Sequence, residues 1–143
     1  MAFWDASALL SLCAHRPQTA IVRRLAAGDE RMTAWWGTPV ELYSALARLL
    51  REGVLTADSH RDSVRRLEAL RRTWDEVAPT EQLRGLAESI PERYSLRAQD
   101  ALQLASALVW CDERPRQRQF VCLDRRLGES ASRLGFAVIG GRP

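Results

Sequence analysis

The sequence contains no lysine and no asparagine, so all 21 of its basic residues are arginines. A chain without lysine cannot supply the phosphate-binding lysine of a P-loop or the amine of a Schiff base. The two histidines lack metal-ligand spacing, and we assign them no catalytic role. No apolar run approaches the roughly 20 residues of a membrane span, and the first residues lack the pattern of a secretory signal. We therefore expect a cytoplasmic protein that has no membrane partner.

Cysteine is also scarce. Cys13, Cys111 and Cys122 are widely spaced along the chain, and apolar residues neighbour each of them. No Cys-x-x-Cys pair or Cys-to-His spacing accompanies them. The pattern therefore predicts reduced core cysteines rather than a disulfide framework or a zinc site.

The length and the apolar content set the scale of the fold. A chain of 143 residues with 46% hydrophobic residues is of the usual size for one domain with a single buried core, so we expect one domain spanning residues 1–143. Its net charge of +3 suits contact with a polyanion, although many proteins without such a partner share this value.

Apolar runs alternate with amphipathic segments along the whole sequence. We predict strands at residues 1–4, 31–35, 74–77, 120–123 and 136–139. We predict helices after residue 5 and at 17–27, 38–53, 56–72, 80–91, 97–111 and 125–134. Strands that alternate with helices favour an α/β fold, with a parallel sheet covered on both faces.

Two acidic residues directly follow predicted strands. Asp5 follows the first strand and Asp124 follows the strand at 120–123. In a parallel sheet both would lie at the carboxyl edge, where open α/β folds form their ligand crevice. The alternative for each is a local turn at the start of the next helix.

Two further acids begin predicted helices. Asp100 precedes an almost entirely apolar helix, where an unpaired buried charge is costly, so it needs either a partner or a role as a helix cap. Glu41 follows Thr38 and Pro39, the pattern of a capping box with Thr38 as N-cap. Capping is therefore the alternative role for both acids.

Several carboxylates in one crevice repel each other unless a cation lies among them. Hard oxygen ligands prefer Mg²⁺ or Mn²⁺, which bind phosphates and assist phosphodiester hydrolysis. The acids together therefore indicate a metal-dependent nuclease.

The same residues carry a resemblance to a known family. The segments Asp5-Ala-Ser7, Thr38-Pro-Val-Glu41, Arg97-Ala-Gln-Asp100-Ala-Leu and Phe120-Val-Cys-Leu-Asp124-Arg-Arg-Leu occur in this order along the chain. Together they resemble the PIN-domain family, and within it the VapC-type toxins of bacterial toxin-antitoxin pairs. The resemblance covers essentially the whole chain.

This resemblance implies a three-layer α/β/α sandwich around a mostly parallel sheet. It also implies an endoribonuclease for single-stranded or structured RNA, in which Asp5, Glu41, Asp100 and Asp124 hold Mg²⁺ or Mn²⁺. Ser7 matches a hydroxyl that hydrogen-bonds to a carboxylate or to a metal-bound water. Such toxins are usually homodimers that a small antitoxin neutralises. Cys122 is a departure, because these toxins more often carry Thr or Ser there, and a thiol is a weaker donor.

Arginines near the acids are candidate phosphate ligands. Arg97, Arg125 and Arg126 lie within a few residues of Asp100 or Asp124. The alternative is that they form surface ion pairs, which we expect for at least one of them.

Two other functions remain open at this stage. One is a PIN-type nuclease in RNA processing or ribosome maturation. The other is a catalytically silent module whose acids cap helices and whose surface binds a protein.

Overall fold

The computed structural model describes residues 1–14 and 19–140. Its strands are β1 (Ala2–Trp4), β2 (Met32–Trp35), β3 (Asp75–Val77), β4 (Gln119–Val121) and β5 (Ala137–Ile139). They form one five-stranded sheet in the order β3-β2-β1-β4-β5. Every neighbouring pair is parallel, as the sequence predicts.

Helices pack on both faces of this sheet. They are α1 (Ala6–Ala14), α2 (Thr19–Gly28), α3 (Thr38–Arg51), α4 (Ala57–Arg71), α5 (Glu81–Tyr94), α6 (Ala98–Trp110) and α7 (Arg125–Leu134). The predicted three-layer α/β/α sandwich is therefore confirmed. The start of the second predicted helix, residues 17–18, lies outside the described residues, as does His15.

Alternation along the strands builds a separate apolar core on each face of the sheet, rather than the single core expected from the sequence. Phe3 and Phe120 point to the face covered by α5, α6 and α7, where their rings stack with centroids 5.5 Å apart. Trp4 and Val121 point to the opposite face, toward α1, α3 and α4. Successive side chains of a strand alternate between the two faces of the sheet, so an almost continuous apolar run contributes side chains to both cores.

The three cysteines lie within these cores. Cys13, Cys111 and Cys122 are buried and free. The prediction of reduced core cysteines is confirmed.

The order of the strands places a crevice between β1 and β4. From β1 the chain proceeds to β2 and β3 on one side, whereas β4 continues to β5 on the other. The pairing of Trp4 with Val121 is extended by Asp5, whose backbone N–H donates to the Val121 carbonyl at 3.1 Å. A parallel sheet forms its ligand crevice at such a reversal of strand order, at the carboxyl ends of the strands.

The start of α3 differs from the sequence prediction. Thr38 is not an N-cap, because Gly37 takes that position without a side-chain hydrogen bond and Thr38 is the first residue of the helix. Thr38 is fully buried, and its hydroxyl accepts a hydrogen bond from Gln103 at 3.0 Å. The capping box predicted for Thr38 and Glu41 is therefore wrong, because a distant donor occupies the hydroxyl that the local pattern assigns to a cap.

The end of α5 also differs. Pro91 does not end the helix, which continues to Tyr94 and closes at Ser95 in the left-handed conformation. Proline removes only one backbone donor, and Tyr94 beyond it packs against the same core as Leu83, Ala87 and Ile90, which favours the longer helix.

Within the described residues, no helix is both long enough and apolar enough to cross a membrane.

The aromatic stack between β1 and β4 should support the sheet on which the crevice is built. Phe120→Ala removes a fully buried ring that contacts both Phe3 and Phe136, so the free energy of unfolding should fall by about 3–5 kcal/mol in urea denaturation. Ile21→Ala is the control, because Ile21 is 51% exposed and its loss should change this free energy by less than about 0.5 kcal/mol. Equal effects of the two substitutions would contradict the assigned core.

Candidate functional site

Asp5 lies at the carboxyl end of β1 and is only 3% exposed. The Ser7 hydroxyl donates to Asp5 Oδ1 at 2.7 Å, and the Ala8 backbone N–H donates to the same oxygen at 3.2 Å. The predicted contact of Ser7 with a carboxylate is present. The turn alternative also holds, since Asp5 accepts from the first turn of α1.

Ser7 also joins the ends of β1 and β4. Its hydroxyl oxygen accepts from the backbone N–H groups of Leu123 at 2.9 Å and Asp124 at 3.1 Å. Cys122, the departure from the family pattern, donates from its thiol to the Asp124 carbonyl at 3.2 Å. Its Sγ also lies 3.9 Å from Ser7 Oγ, so a side-chain contact remains at this position beside the one to the backbone.

Asp124 connects β4 to α7. Its carboxylate caps that helix, with Oδ1 accepting from the Leu127 N–H at 2.8 Å. The local role that the sequence left open is therefore observed. Asp124 is exposed, so its carboxylate is also accessible from the crevice.

Glu41 lies in the first turn of α3, where Gln103 of α6 binds it. The Gln103 amide Nε2 donates both to Glu41 Oε1 at 3.2 Å and to Thr38 Oγ1 at 3.0 Å. Gln103 is 1% exposed, and its own Oε1 has no partner within the described residues. A buried acceptor without a hydrogen bond costs free energy. The contribution of the Gln103 side chain therefore lies in its Nε2 group, which donates to Thr38 and Glu41.

Gln103 was missed by the sequence analysis. It is the polar residue three positions after Asp100 in the apolar α6, so both side chains lie on the same face of that helix. A glutamine in an otherwise apolar helix was the available signal, but its partner is 62 residues away along the chain.

Asp100 lies in the first turn of α6, which begins after Arg97 without a side-chain cap. A cleft of about 190 Å³ is lined by Arg97, Asp100, Asp124 and Arg126. Arg125 is not among its lining residues and instead forms an ion pair with Glu129 at 2.9 Å. Of the three candidate arginines, two therefore face the acids, and one forms the surface ion pair that was expected for at least one of them.

The four carboxylates of Asp5, Glu41, Asp100 and Asp124, here called the acid site, interact electrostatically. Burial raises the pKa of Asp5 to about 6, the Ser7 hydrogen bond opposes this shift, and repulsion from Asp124 adds to it. Burial raises the pKa of Glu41 to about 7, the Gln103 hydrogen bond opposes it, and repulsion from Asp5 and Asp100 adds to it. Each acid therefore lies within electrostatic range of another.

The pKa of Asp100 is also raised. Burial is the main cause and repulsion from Asp124 the second, whereas Arg97 and Arg126 lower it. The two arginines thus oppose the rise in the pKa of Asp100 without cancelling it. Coulombic repulsion links Asp5 to Asp124, Asp124 to Asp100, and Asp100 and Asp5 to Glu41, so the acid site forms one connected set.

The acid site is not a ready-made metal cage. Within residues 1–14 and 19–140, no group of three or more His, Cys, Asp or Glu side chains could hold a metal ion as they stand. Each of Asp5, Glu41 and Asp124 accepts a hydrogen bond from another protein group. The all-oxygen donor set nevertheless fits Mg²⁺ or Mn²⁺, and repulsion among the carboxylates favours a cation between them.

Helix N-termini surround the acid site. Asp5 precedes α1, Asp124 caps α7, and Glu41 and Asp100 lie in the first turns of α3 and α6. The positive ends of these helix dipoles favour negative charge. They therefore favour the carboxylates and would equally favour a bound phosphate.

Comparisons with known proteins support the fold. No family model matches the chain, and no curated protein matches it. Among solved structures, the chain is similar to a chain described as a toxin-antitoxin complex from Klebsiella pneumoniae. The identity is 16%, the TM-score is 0.61, and 87% of each chain is covered. At this identity the likeness shows a shared fold.

The raised pKa values predict that the metal-free protein loses stability as pH rises. The folded state binds protons on Asp5 and Glu41 more tightly than the unfolded chain, whose values are near 3.8 and 4.5. The contribution of these two groups to the free energy of unfolding is therefore fully present below the unfolded-state pKa values, and it is lost as pH rises toward about 7.

Glu41→Gln tests this dependence. In wild type the free energy of unfolding should fall as pH rises through this range. In the variant this decrease should be smaller by about 2 kcal/mol. Chemical denaturation with EDTA at a series of pH values measures the change. Glu81→Gln, on an exposed helix start, is the matched control and should retain the wild-type profile. A wild-type stability that rises across the window would contradict the assigned electrostatics.

Proposed function

We propose that the protein is a Mg²⁺- or Mn²⁺-dependent endoribonuclease that hydrolyses phosphodiester bonds of RNA, and that it is the toxin of a type II toxin-antitoxin pair. The observation that carries the nuclease proposal is the acid site itself. Four carboxylates from four separate elements lie within electrostatic range of one another, and their repulsion adds to the raised pKa values of Asp5, Glu41 and Asp100. A site of this kind is suited to a divalent cation and a polyanion.

The proposed mechanism assigns a role to each group in the crevice. Asp5, Glu41, Asp100 and Asp124 would hold the cation. When bound, such a cation lowers the pKa of a water and neutralises charge on the phosphate. Arg97 and Arg126, which line the cleft with Asp100, would bind phosphate oxygens.

The toxin role rests on two further supports. The sequence segments that contain the acids resemble VapC-type toxins, and a chain of a toxin-antitoxin complex shares this fold over 87% of its length. A small antitoxin is accordingly the proposed protein partner.

An exposed apolar stripe supports a homodimer. Trp36, Val40, Tyr43, Leu50 and Val54 are 56%, 72%, 39%, 37% and 58% exposed along α3 and its flanks. The neighbouring Trp35 is buried and therefore does not belong to this stripe. Val40, Tyr43, Ala47 and Leu50 repeat at spacings of three and four, which places them along one side of α3, and Trp36 and Val54 lie just beyond its two ends.

The stripe is self-complementary about its midpoint, Ala45. In an antiparallel pair of α3 helices, Trp36 would meet Val54, Val40 would meet Leu50, and Tyr43 would meet Ala47. Large side chains would then face smaller ones across a two-fold axis, as a symmetric interface requires. We therefore propose a second copy of the chain as the occupant of this stripe.

The nuclease proposal predicts a specific loss of cleavage. Wild type should cleave single-stranded RNA only with Mg²⁺ or Mn²⁺, and Asp5→Asn or Asp100→Asn should reduce the rate by roughly a hundredfold or more. A labelled RNA resolved on a gel measures this. Asp112→Asn is the control, because Asp112 is exposed, lies outside the acid site, and has a φ of 52° that asparagine tolerates.

Full activity in Asp100→Asn would exclude the acid site as the catalytic centre. Wild type that binds a protein partner but cleaves no RNA with either metal would favour the binding-module alternative.

The dimer proposal predicts a change of mass. Wild type should have twice the chain mass of 16.2 kDa in light scattering after size exclusion, and Val40→Glu should have the single-chain mass. Ile21→Glu, which adds the same charge at an exposed site on α2, should remain dimeric. A monomeric wild type would contradict the proposal.

A further inference from the structure

A second cleft adjoins the acid site and shares no lining residue with the cleft that contains Arg97 and Arg126. It has a volume of about 190 Å³, the same as the cleft that contains Asp100. Glu41 and Ser7 line it from α3 and α1, and Ser44, Arg48 and Gln99 complete its polar wall. Two separate clefts therefore adjoin the acid site, and each contains at least one arginine.

Arg48 has no ion-pair partner within the described part of the chain. By contrast, Arg61, Arg65 and Arg84 are paired with acidic residues of their own helices. Arg48 is exposed, and it lies seven residues after Glu41, which places the two about two turns apart on the same flank of α3. Its guanidinium is therefore available to an anion that reaches the acid site.

Arg48 and the apolar stripe occupy different sides of α3. Arg48 directly follows Ala47, a residue of the stripe, so the two lie about 100° apart around the helix axis. Its side chain lines the cleft between α1 and α3, whereas the exposed residues Val40 and Tyr43 are absent from that lining. A partner on the stripe would therefore leave the cleft open.

The remaining lining suits a sugar or a base. Ser44 provides a hydroxyl, and Gln99, in the first turn of α6 beside Asp100, provides an amide with both donors and an acceptor. Ala6 and Leu10 form an apolar wall from α1. A nucleotide combines these needs, because its phosphate is anionic, its ribose is polar and its base has an apolar face.

We propose that this cleft is a nucleotide subsite for the RNA strand, with Arg48 as its phosphate-binding residue. The inference rests on the proposed nuclease function and extends it. The strand crosses the acid site, with the flanking nucleotide on one side bound at Arg48 and the strand on the other side bound at Arg97 and Arg126. Ser44 and Gln99 contact the sugar or base of the bound nucleotide.

Kinetics and binding of Arg48 variants test this subsite. Arg48→Ala should raise KM for a single-stranded RNA about tenfold while kcat changes little, because the contact is made in both the ground state and the transition state. In fluorescence anisotropy without divalent ions, the slope of log Kd against log salt should fall by about 0.7. Arg48→Lys should keep that slope but lose part of the affinity, since lysine lacks the bidentate fork.

Arg51→Ala is the matched control. Arg51 is exposed on the same helix one turn later and does not line the cleft, so its loss should leave KM, kcat and the salt slope unchanged. Wild type that cleaves RNA together with an Arg48→Ala variant that behaves like Arg51→Ala would overturn the subsite alone. Wild type that neither binds nor cleaves RNA would overturn the proposed function, and the subsite with it.

Discussion

The burial of several carboxylates near one another is the constraint on which the site depends. Asp5 and Glu41 keep their protons to pH values near 6 and 7, because burial and neighbouring negative charge both disfavour ionisation. A structure that served stability alone would not place these groups together, since apolar residues of similar volume would cost less. The arrangement of the helices offsets part of this free-energy cost. The N-termini of α1, α3, α6 and α7 all surround the acids, so their dipoles partly compensate a charge that the side chains leave uncompensated.

The hydrogen bonds around the acids hold them apart as well as in place. Ser7 ties Asp5 to the backbone after β4, and Gln103 ties Glu41 to α6. The acids are thus close enough to shift each other's pKa, yet no three of the described ligand-type side chains are arranged to hold an ion. In the proposed enzyme, small side-chain rotations would bring them onto a cation, which would then supply the attraction that the acid site lacks.

Much of this arrangement could be predicted from the sequence. The apolar runs before Asp5 and Asp124 define two strands, and parallel pairing brings their carboxyl ends to one edge. The first-turn positions of Glu41 and Asp100 also follow from local pattern. The roles of Thr38 and Gln103 do not, because each depends on a partner more than 60 residues away, and a capping motif describes only neighbours. The cleft at Arg48 was likewise unpredictable, since it forms only when α1 and α3 pack together and α6 begins beside them. Local patterns thus predicted the elements, whereas long-range packing determined the hydrogen bonds and clefts.

The most direct test of the account is the location of a bound metal. A crystal of the protein soaked in Mn²⁺ gives an anomalous scattering map in which the ion is identified independently of the protein density. The account predicts a peak in the crevice between β1 and β4, with carboxylate oxygens of Asp5 and at least one of Glu41, Asp100 and Asp124 at about 2.1 Å. A crystal at saturating Mn²⁺ whose peaks lie only elsewhere, with the acid site empty, would contradict it.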